Sequence, residues 1–235
     1  GGDMLVISQG SYMIGYGAPN TNWCDAAGAY ACVLPSIPSG PDANHPTKIL
    51  GKGWDSGCTN PPELWGTERL DRVLSLQNSS NVVIDCFEIT DHLGCALNHA
   101  NPSIRCEYDH HPYGAWAYEG ILASDSDNVT LRNLNIHGLG NAGIHAGRIS
   151  NWVLENVIIR GNGLVGWDGD LWAQDSSNSG TLRFSNWTVE WNGCVETYPG
   201  KLPDHCWGQS ATGYGDGVGV ARSGGHWIIE DSIFR

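Results

Sequence analysis

Short alternations of apolar and polar residues recur along this chain, and in its middle one pattern is written twice at a fixed offset. Residues 120–123 and 128–133 read GILA and NVTLRN, and residues 143–146 and 151–156 read GIHA and NWVLEN. Each unit contains two strand-length segments whose side chains alternate between two faces. Self-similarity at a fixed period of this size is typical of a repeat fold in which each unit buries its apolar side by stacking on its neighbours.

The pattern extends on both sides of this pair. Residues 73–76 with 81–86 match it one copy earlier, with a long insertion between, and a further copy is predicted to open at 170–173 with its second strand at 181–184. The last copy is 217–220 followed by 226–231. Nearer the start, strands are predicted at 4–7, 12–14 and 47–51, with 54–70 as a loop excursion. The repeats therefore predict an all-β solenoid of about seven coils in a single domain, residues 1–235.

Two columns of residues support this register. The outward residue that follows each buried strand residue alternates in sign from coil to coil: Asp85, Arg132, Glu155, Arg183 and Glu230. Stacked in register, these side chains are expected to form a ladder of opposite charges. The next column holds residue types that suit a sharp turn, since Asn and Asp tolerate left-handed backbone: Cys86, Asn133, Asn156 and Asp231.

Through these coils and turn asparagines the chain resembles the right-handed parallel β-helix superfamily, the pectate-lyase-like fold, over nearly its whole length. The resemblance implies a right-handed parallel β-helix in a secreted protein, most often a polysaccharide lyase, hydrolase or epimerase and less often a tailspike or non-enzymatic surface protein. The Asn-Thr-Asp, Asp-Asp and Gly-His-Gly signatures of polygalacturonases are missing, and residues 108–112 do not match an epimerase signature. The resemblance therefore implies a fold and names no substrate.

Charge and cysteine content narrow the classes of partner and compartment. A formal charge of −13 with only 12 Lys and Arg argues against binding to nucleic acid or anionic membranes. It weighs mildly against polyanionic glycans unless calcium or a local Arg cluster offsets the field. No stretch approaches the roughly 20 apolar residues of a membrane span. Three close cysteine pairs are expected to staple loops, at Cys24/Cys32, Cys95/Cys106 and Cys194/Cys206, while Cys58 and Cys86 are either bridged to each other or both free. This usage predicts an oxidising setting, either extracellular, at the cell surface or in a periplasm.

The register also predicts where chemistry takes place. Positions equivalent to 120, 122 and 124 face outward from the first sheet, and their small residues predict a shallow trough beside the loops at 90–118 and 191–215. Hydrolysis of a glycosidic bond needs two carboxyl groups, which adjacent or alternate coils supply at suitable spacing. The catalytic candidates are Asp168, Asp170, Asp216, His145 and Arg148. The predicted substrate contacts, which stack on sugar faces or bond hydroxyl groups, are Trp172, Gln174, Arg222, Trp116, Trp207 and Tyr214.

Each of these residues also has a structural interpretation. Asp in a Gly-rich turn usually caps backbone, His145 is compatible with a packed strand residue, and Trp172 with a ring covered by a loop. No cofactor is certain, although Asp168, Asp170 and Asp175 carry the oxygen ligands that calcium prefers. Metal ligation by other groups is not indicated.

A polysaccharide is the expected partner, and hydrolysis is favoured over β-elimination because Lys is scarce and the candidates are carboxylates. His145 with Arg148 keeps elimination open. The rival hypothesis is a non-catalytic surface, adhesin or filament protein that uses the β-helix as a rigid rod. Apolar coil faces at both ends predict a capping partner or a further stretch of chain.

Overall fold

The computed structural model describes residues 1–21, 24, 32–67, 70–92, 117–171, 175, 177–192, 216–219 and 224–235. Within these ranges the protein is all-β, and its named strands pair in parallel in two sheets. The strands are β1 Met4–Ile7, β2 Ser11–Met13, β3 Thr47–Gly51, β4 Glu63–Gly66, β5 Arg72–Ser75, β6 Val82–Asp91, β7 Glu119–Asp127, β8 Val129–His137, β9 Ala142–Ser150, β10 Val153–Arg160, β11 Val165–Asp168, β12 Thr181–Glu190, β13 Asp216–Gly219, β14 His226–Glu230 and β15 Ile233–Phe234. None of the described residues belongs to a helix long and apolar enough to cross a membrane.

From β5 to β14 the chain alternates between the two sheets. The ten-stranded sheet has the order β1-β3-β6-β8-β10-β12-β14, with β2 and β15 joined at β4 and β12 and with β4 also paired to β6. The five-stranded sheet has the order β13-β11-β9-β7-β5. Each strand therefore lies beside the strand two places earlier in the sequence, which requires a crossover through the other sheet.

The predicted register is confirmed where the repeat is clearest. Leu131 pairs with Leu154 in the larger sheet and Ile121 with Ile144 in the smaller one, so both sheets have the offset of the sequence repeat. Ile84 pairs with Leu131, as the alignment of residues 81–86 with 128–133 predicts. The predicted strands at 4–7, 12–14 and 47–51 are present as well. Residues 54–70 are not wholly a loop excursion, because they contain β4.

The copy predicted to open at 170–173 is wrong. The strand that continues the five-stranded sheet is β11, in which Trp167 pairs with Ile144 and Asp168 with His145. The reason is core packing, since Trp167 is fully buried and makes edge contacts with the rings of Trp152 and Trp187. An indole thus takes the place that an aliphatic side chain holds in the preceding strands, and the offset of the repeat continues unchanged into β11.

The predicted charge column is correct for three strands and wrong at the fourth. Asp85, Arg132 and Glu155 are register partners, but Glu155 is opposite Ser185 rather than Arg183. Arg132 pairs with Asp85 at 3.0 Å. Across the described ranges no ion pair joins Arg132 to Glu155. The opposite-charge ladder is therefore two separate contacts, Arg132 with Asp85 and Arg183 with Glu230 at 3.9 Å, rather than a continuous series.

The shift at β12 has a local cause in the turn column. Cys86, Asn133, Asn156, Asn186 and Asp231 have φ angles between 48° and 66°, so each occupies the left-handed region. Side-chain amides link them, with Asn156 donating to Asn133 at 3.2 Å and Asn186 donating to Asn156 at 2.7 Å. Asn186 takes the turn position in β12, which places Phe184 two residues earlier in the core position.

The core lies between the two sheets and is rich in aromatic rings. Phe184 stacks on Trp187 with centroids 4.6 Å apart and on Trp227 at 5.0 Å. Trp152, Trp167 and Trp187 are fully buried within the same hydrophobic cluster as the aliphatic residues of both sheets. Core packing thus accounts for these three of the eleven tryptophans in the chain.

Two disulfides close loops on this framework. Cys24 is bonded to Cys32 as predicted, and Cys58 is bonded to Cys86, which decides between the two alternatives left by the sequence. The second bond ties the 51–62 segment to the first position of the turn column. Disulfides of this kind are typical of proteins in oxidising compartments. The other predicted pairs, Cys95/Cys106 and Cys194/Cys206, lie outside the described residues.

Candidate functional site

A buried group of ionisable side chains lies on the five-stranded sheet, and we call it the His145 cluster: Asp71, Arg72, Glu119, His145 and Asp168. Arg72, Glu119, His145 and Asp168 belong to the neighbouring strands β5, β7, β9 and β11, which lie about 4.8 Å apart in such a sheet. Asp71 precedes β5 and forms an ion pair with Arg72, whose guanidinium also donates to Gln77. Four strands therefore bring acidic and basic groups to one place.

His145 is held on both sides. It is fully buried, and its Nδ1 lies 2.7 Å from Glu119 Oε1 while its Nε2 lies 2.7 Å from the backbone carbonyl oxygen of Asp170. Because a carbonyl oxygen only accepts, Nε2 carries a proton and donates it. The imidazole thus links the Glu119 carboxylate to the backbone of the segment that follows β11.

Burial and charge act in opposite directions on this pair. Burial by itself lowers the pKa of His145, but the hydrogen bond and charge of Glu119 and the charge of Asp168 outweigh it and raise the pKa to about 9. Burial raises the pKa of the Glu119 carboxyl, with His145 opposing. We take the neutral-pH state to be an imidazolium that donates to the Glu119 carboxylate. Burial likewise raises the pKa of Asp71, with Arg72 opposing.

The second Glu119 oxygen is an exception to the general pairing of buried polar atoms. Glu119 Oε2 is buried and has no hydrogen-bond partner among the described residues. Buried polar atoms are nearly always paired, and an unpaired one calls for an explanation such as a chemical role or a bound molecule. The cluster therefore retains an unused acceptor.

Asp170 differs from the other carboxylates because its backbone is fixed and its side chain is not engaged. Its carbonyl accepts from His145 Nε2, and its amide donates to Asp168 Oδ1 at 2.9 Å. Within the described part of the chain, no hydrogen bond or ion pair involves the Asp170 carboxylate. The side chain is only half-buried. Among the described residues, Asp170 thus presents an unengaged carboxylate beside the His145 cluster, on a firmly positioned backbone.

Arg148 belongs to a separate group, the Arg148 cluster, formed with Asp125 and Asp175. Its Nε and Nη2 donate to the two Asp125 carboxylate oxygens at 2.7 and 2.8 Å, and Nη1 donates to the Asp175 carbonyl at 3.0 Å. Arg148 follows His145 by three strand positions, or roughly 10 Å. The predicted pairing of His145 with Arg148 in proton transfer stays a prediction.

Packing closes the predicted trough of small residues along β7 and β9, and the same packing continues at Gly166 in β11. A Cβ atom added to the glycine near the start of three neighbouring strands would meet a core methyl group: Gly120 with Ile136, Gly143 with Ile159 and Gly166 with Val189. Leu122 and His145, at the next predicted trough position, are buried. The glycines therefore allow close approach between the sheets instead of opening a groove.

The three possible calcium ligands do not form a metal-binding group among the described residues. Over the described ranges, no group of three or more His, Cys, Asp or Glu side chains is arranged to hold a metal ion. The Asp175 carboxylate accepts from Ser177, through its backbone amide at 3.0 Å and its hydroxyl at 2.6 Å. Asp175 thus acts as a turn residue in this structure.

The remaining predicted site residues have separate positions. Asp216 opens β13 and pairs with Val165, so its backbone lies three strand positions away from the row of Asp168. The predicted substrate contacts all lie outside the described residues: Trp172, Gln174, Arg222, Trp116, Trp207 and Tyr214. They stay predictions.

Sequence reasoning missed the Glu119 side of the site. Glu119 and Arg72 are register partners that open β7 and β5, where the next two strands have Ala142 and Val165. Two charges at a strand position that is otherwise apolar are a visible signal once the strands are aligned. The Asp71-Arg72 pair immediately before and within β5 strengthens that signal.

Comparison with protein-family models, with curated proteins and with solved structures finds no match to the chain.

Proposed function

We propose that this chain is a secreted, polysaccharide-active parallel β-helix protein that hydrolyses glycosidic bonds. The fold part of the proposal is a right-handed, pectate-lyase-like β-helix of about seven coils. It is supported by parallel strands that alternate between two sheets and by the same register offset in both. The His145 cluster lies on the smaller of these sheets, beside the segment that follows β11.

The observation that carries the functional proposal is the state of Asp170. Its backbone is fixed by His145 and Asp168, while its carboxylate has no partner among the described residues. Carboxyl groups that serve only to cap a turn spend their oxygens on nearby amides, as Asp175 does. A carboxylate that is positioned and left unused is suited to act on a substrate.

Asp168 is the natural second carboxyl group for the reaction. Its Oδ1 accepts from the Asp170 amide at 2.9 Å, so one oxygen of this carboxylate holds the Asp170 backbone and the Asp168 carboxyl group lies beside that residue. Glycosidases use two carboxyl groups roughly 5–5.5 Å apart for retention and roughly 6.5–9.5 Å apart for inversion. In this proposal Asp170 and Asp168 share the acid–base or nucleophilic roles, and His145 positions Asp170.

Hydrolysis suits this arrangement better than β-elimination. Elimination needs a base that is free to take a proton from the sugar ring. Both ring nitrogens of His145 are engaged, by Glu119 and by the Asp170 carbonyl, and Arg148 is bound by Asp125. The unengaged group is a carboxylate, which is the kind of group that glycoside hydrolysis uses.

The test is an activity screen with two matched aspartate variants. The disulfide-intact protein is incubated with neutral and acidic polysaccharides, and both reducing-end release and absorbance of unsaturated products are measured, with calcium or with a chelator. Hydrolysis predicts reducing ends without unsaturated products. We expect Asp170→Asn to lower kcat by about 100-fold or more with little change in KM, since acid–base groups act chiefly in the transition state.

Asp127→Asn is the control, because Asp127 lies at the exposed end of β7 and its carboxylate accepts from the Ser150 hydroxyl and the Asn151 side-chain amide. It should keep parental turnover. If no polysaccharide is cut or bound, the enzyme proposal fails and the rigid-rod hypothesis replaces it. If only unsaturated products appear, the chain is a lyase and the role given to Asp170 is wrong.

A further inference from the structure

Among the described residues, the cations near the proposed site all have partners from the protein itself. Arg148 makes a two-pronged contact with the Asp125 carboxylate, at 2.7 and 2.8 Å, and it also binds the Asp175 carbonyl. This contact lowers the pKa of Asp125 and raises that of Arg148, as expected for a pair that remains ionised. Asp125 therefore occupies the two guanidinium N–H groups that would otherwise bind a ligand carboxylate.

The other two cations are also occupied. Arg72 is paired with Asp71 and bonded to Gln77, and the His145 ring is bonded on both nitrogens. Neither lies free to receive an anion.

Carboxylates, in contrast, outnumber these cations by two to one on this face. The cations are Arg72, His145 and Arg148, and the carboxylates are Asp71, Glu119, Asp125, Asp168, Asp170 and Asp175. The chain as a whole carries a formal charge of −13. A polyanionic chain that entered this site would meet unpaired negative charge at Asp170 and would find the nearest described guanidinium already bound.

We propose that the site accepts uncharged glycan chains and rejects uronate chains, and that Asp125 determines this specificity by occupying Arg148. This inference rests on the proposed function and adds the substrate class to it. Rejection arises in two ways, through repulsion from the carboxylates and through the loss of Arg148 as a partner for a sugar carboxylate. Specificity built from a repulsive element as well as an attractive one is common in binding sites.

The structure also indicates how the specificity can be changed. Asp125 and Arg148 are both partly exposed, so removing the Asp125 charge does not leave a buried ion unpaired. Asp125→Asn keeps the side-chain shape and removes the carboxylate charge from the two guanidinium nitrogens that it holds; Arg148 lies roughly 10 Å along β9 from His145. An extended glycan bound at Asp170 then has a guanidinium within reach for a uronate carboxylate.

The experiment measures binding of three oligosaccharides of equal length: xylohexaose, cellohexaose and hexagalacturonate. Dissociation constants are determined by calorimetry at low ionic strength for the parent, Asp125→Asn, the double variant Asp125→Asn/Arg148→Gln, and the control Asp127→Asn. Each titration is run with chelator and again with calcium. Thermal unfolding of each variant confirms that the fold is retained.

We expect the parent to bind at least one neutral hexasaccharide about ten-fold or more tightly than hexagalacturonate. Asp125→Asn should tighten hexagalacturonate binding by about five-fold, as expected for one partly exposed charge pair, and leave neutral binding unchanged. The double variant should lose that gain, and Asp127→Asn should match the parent.

Two results would overturn the inference while leaving the proposed function intact. One is hexagalacturonate binding by the parent as tight as neutral binding, with or without calcium. The other is an Asp125→Asn variant whose affinity for hexagalacturonate does not rise. If the parent binds none of the three and cuts none of the polysaccharides, the proposed function fails and this inference fails with it.

Discussion

The buried Glu119–His145 pair should make the stability of this protein fall as the pH rises above neutrality. Folding raises the pKa of His145 from 6.5 to about 9, so the stabilisation is fully present below pH 6.5 and is lost as the pH rises to about 9. At about 1.4 kcal/mol per pKa unit, the loss over this window is about 3 kcal/mol. The raised pKa of Glu119 acts in the same direction in the acid range, because burial there disfavours the ionised carboxyl.

Glu119→Gln should reverse the sign of this dependence. Without the carboxylate, burial dominates and lowers the pKa of His145, so the variant loses stability as the pH falls below about 6.5. Breaking a buried pair by removing one partner costs about 3–5 kcal/mol, so the variant should also be less stable than the parent at pH 6.

The assay is urea denaturation followed by tryptophan fluorescence at pH 6 and pH 9.5, with the disulfides intact. Glu63→Gln is the matched control, because Glu63 contacts His92 at the same 2.7 Å in a partly exposed pair. Glu63→Gln should lower the free energy of unfolding by less than about 1 kcal/mol and keep the parental pH dependence of stability. If the parent is equally stable at both pH values, or if Glu119→Gln retains the parental slope, the assignment of an imidazolium–carboxylate pair is refuted.

Three further predictions concern the fold. Phe184→Ala should destabilise by about 3–5 kcal/mol in the same denaturation assay, because the ring is fully buried between two tryptophans. Asn156→Ala should lower the free energy of unfolding by about 1–2 kcal/mol, and Asn156→Gly should lower it less. Both variants lose the amide contacts, but glycine accepts the left-handed backbone. Equal losses would contradict this. Reversing Arg132 to Glu should be rescued by Asp85→Arg and not by Glu155→Arg in a double-mutant cycle, because the 3.0 Å contact is with Asp85.

The repeat allowed much of the fold to be predicted, because neighbouring units share composition as well as period. Residues 120–133 and 143–156 have the same apolar positions and the same turn asparagines, so one alignment fixed the register in both sheets. Prediction failed at β11 because Trp167 replaced an aliphatic residue, and the Gly-Trp-Asp sequence does not read as the apolar strand that the template required.

The candidate site was predicted in part for a similar reason. Asp168, Asp170 and His145 stood out because they interrupt or border apolar strands. Glu119 did not stand out, since its contact with His145 depends on how the first residue of a strand is oriented at the sheet boundary. Alternation does not determine that orientation.

The register offset that both sheets share has a consequence for how this molecule can change in length. Between β7 and β10 each strand meets its neighbour at the same displacement, and the turn asparagines meet theirs as well. A duplicated copy of residues 119–141 would therefore find matching neighbours above and below in both sheets at once. Duplication or deletion of whole units can therefore lengthen or shorten this region, while the width of the core stays constant.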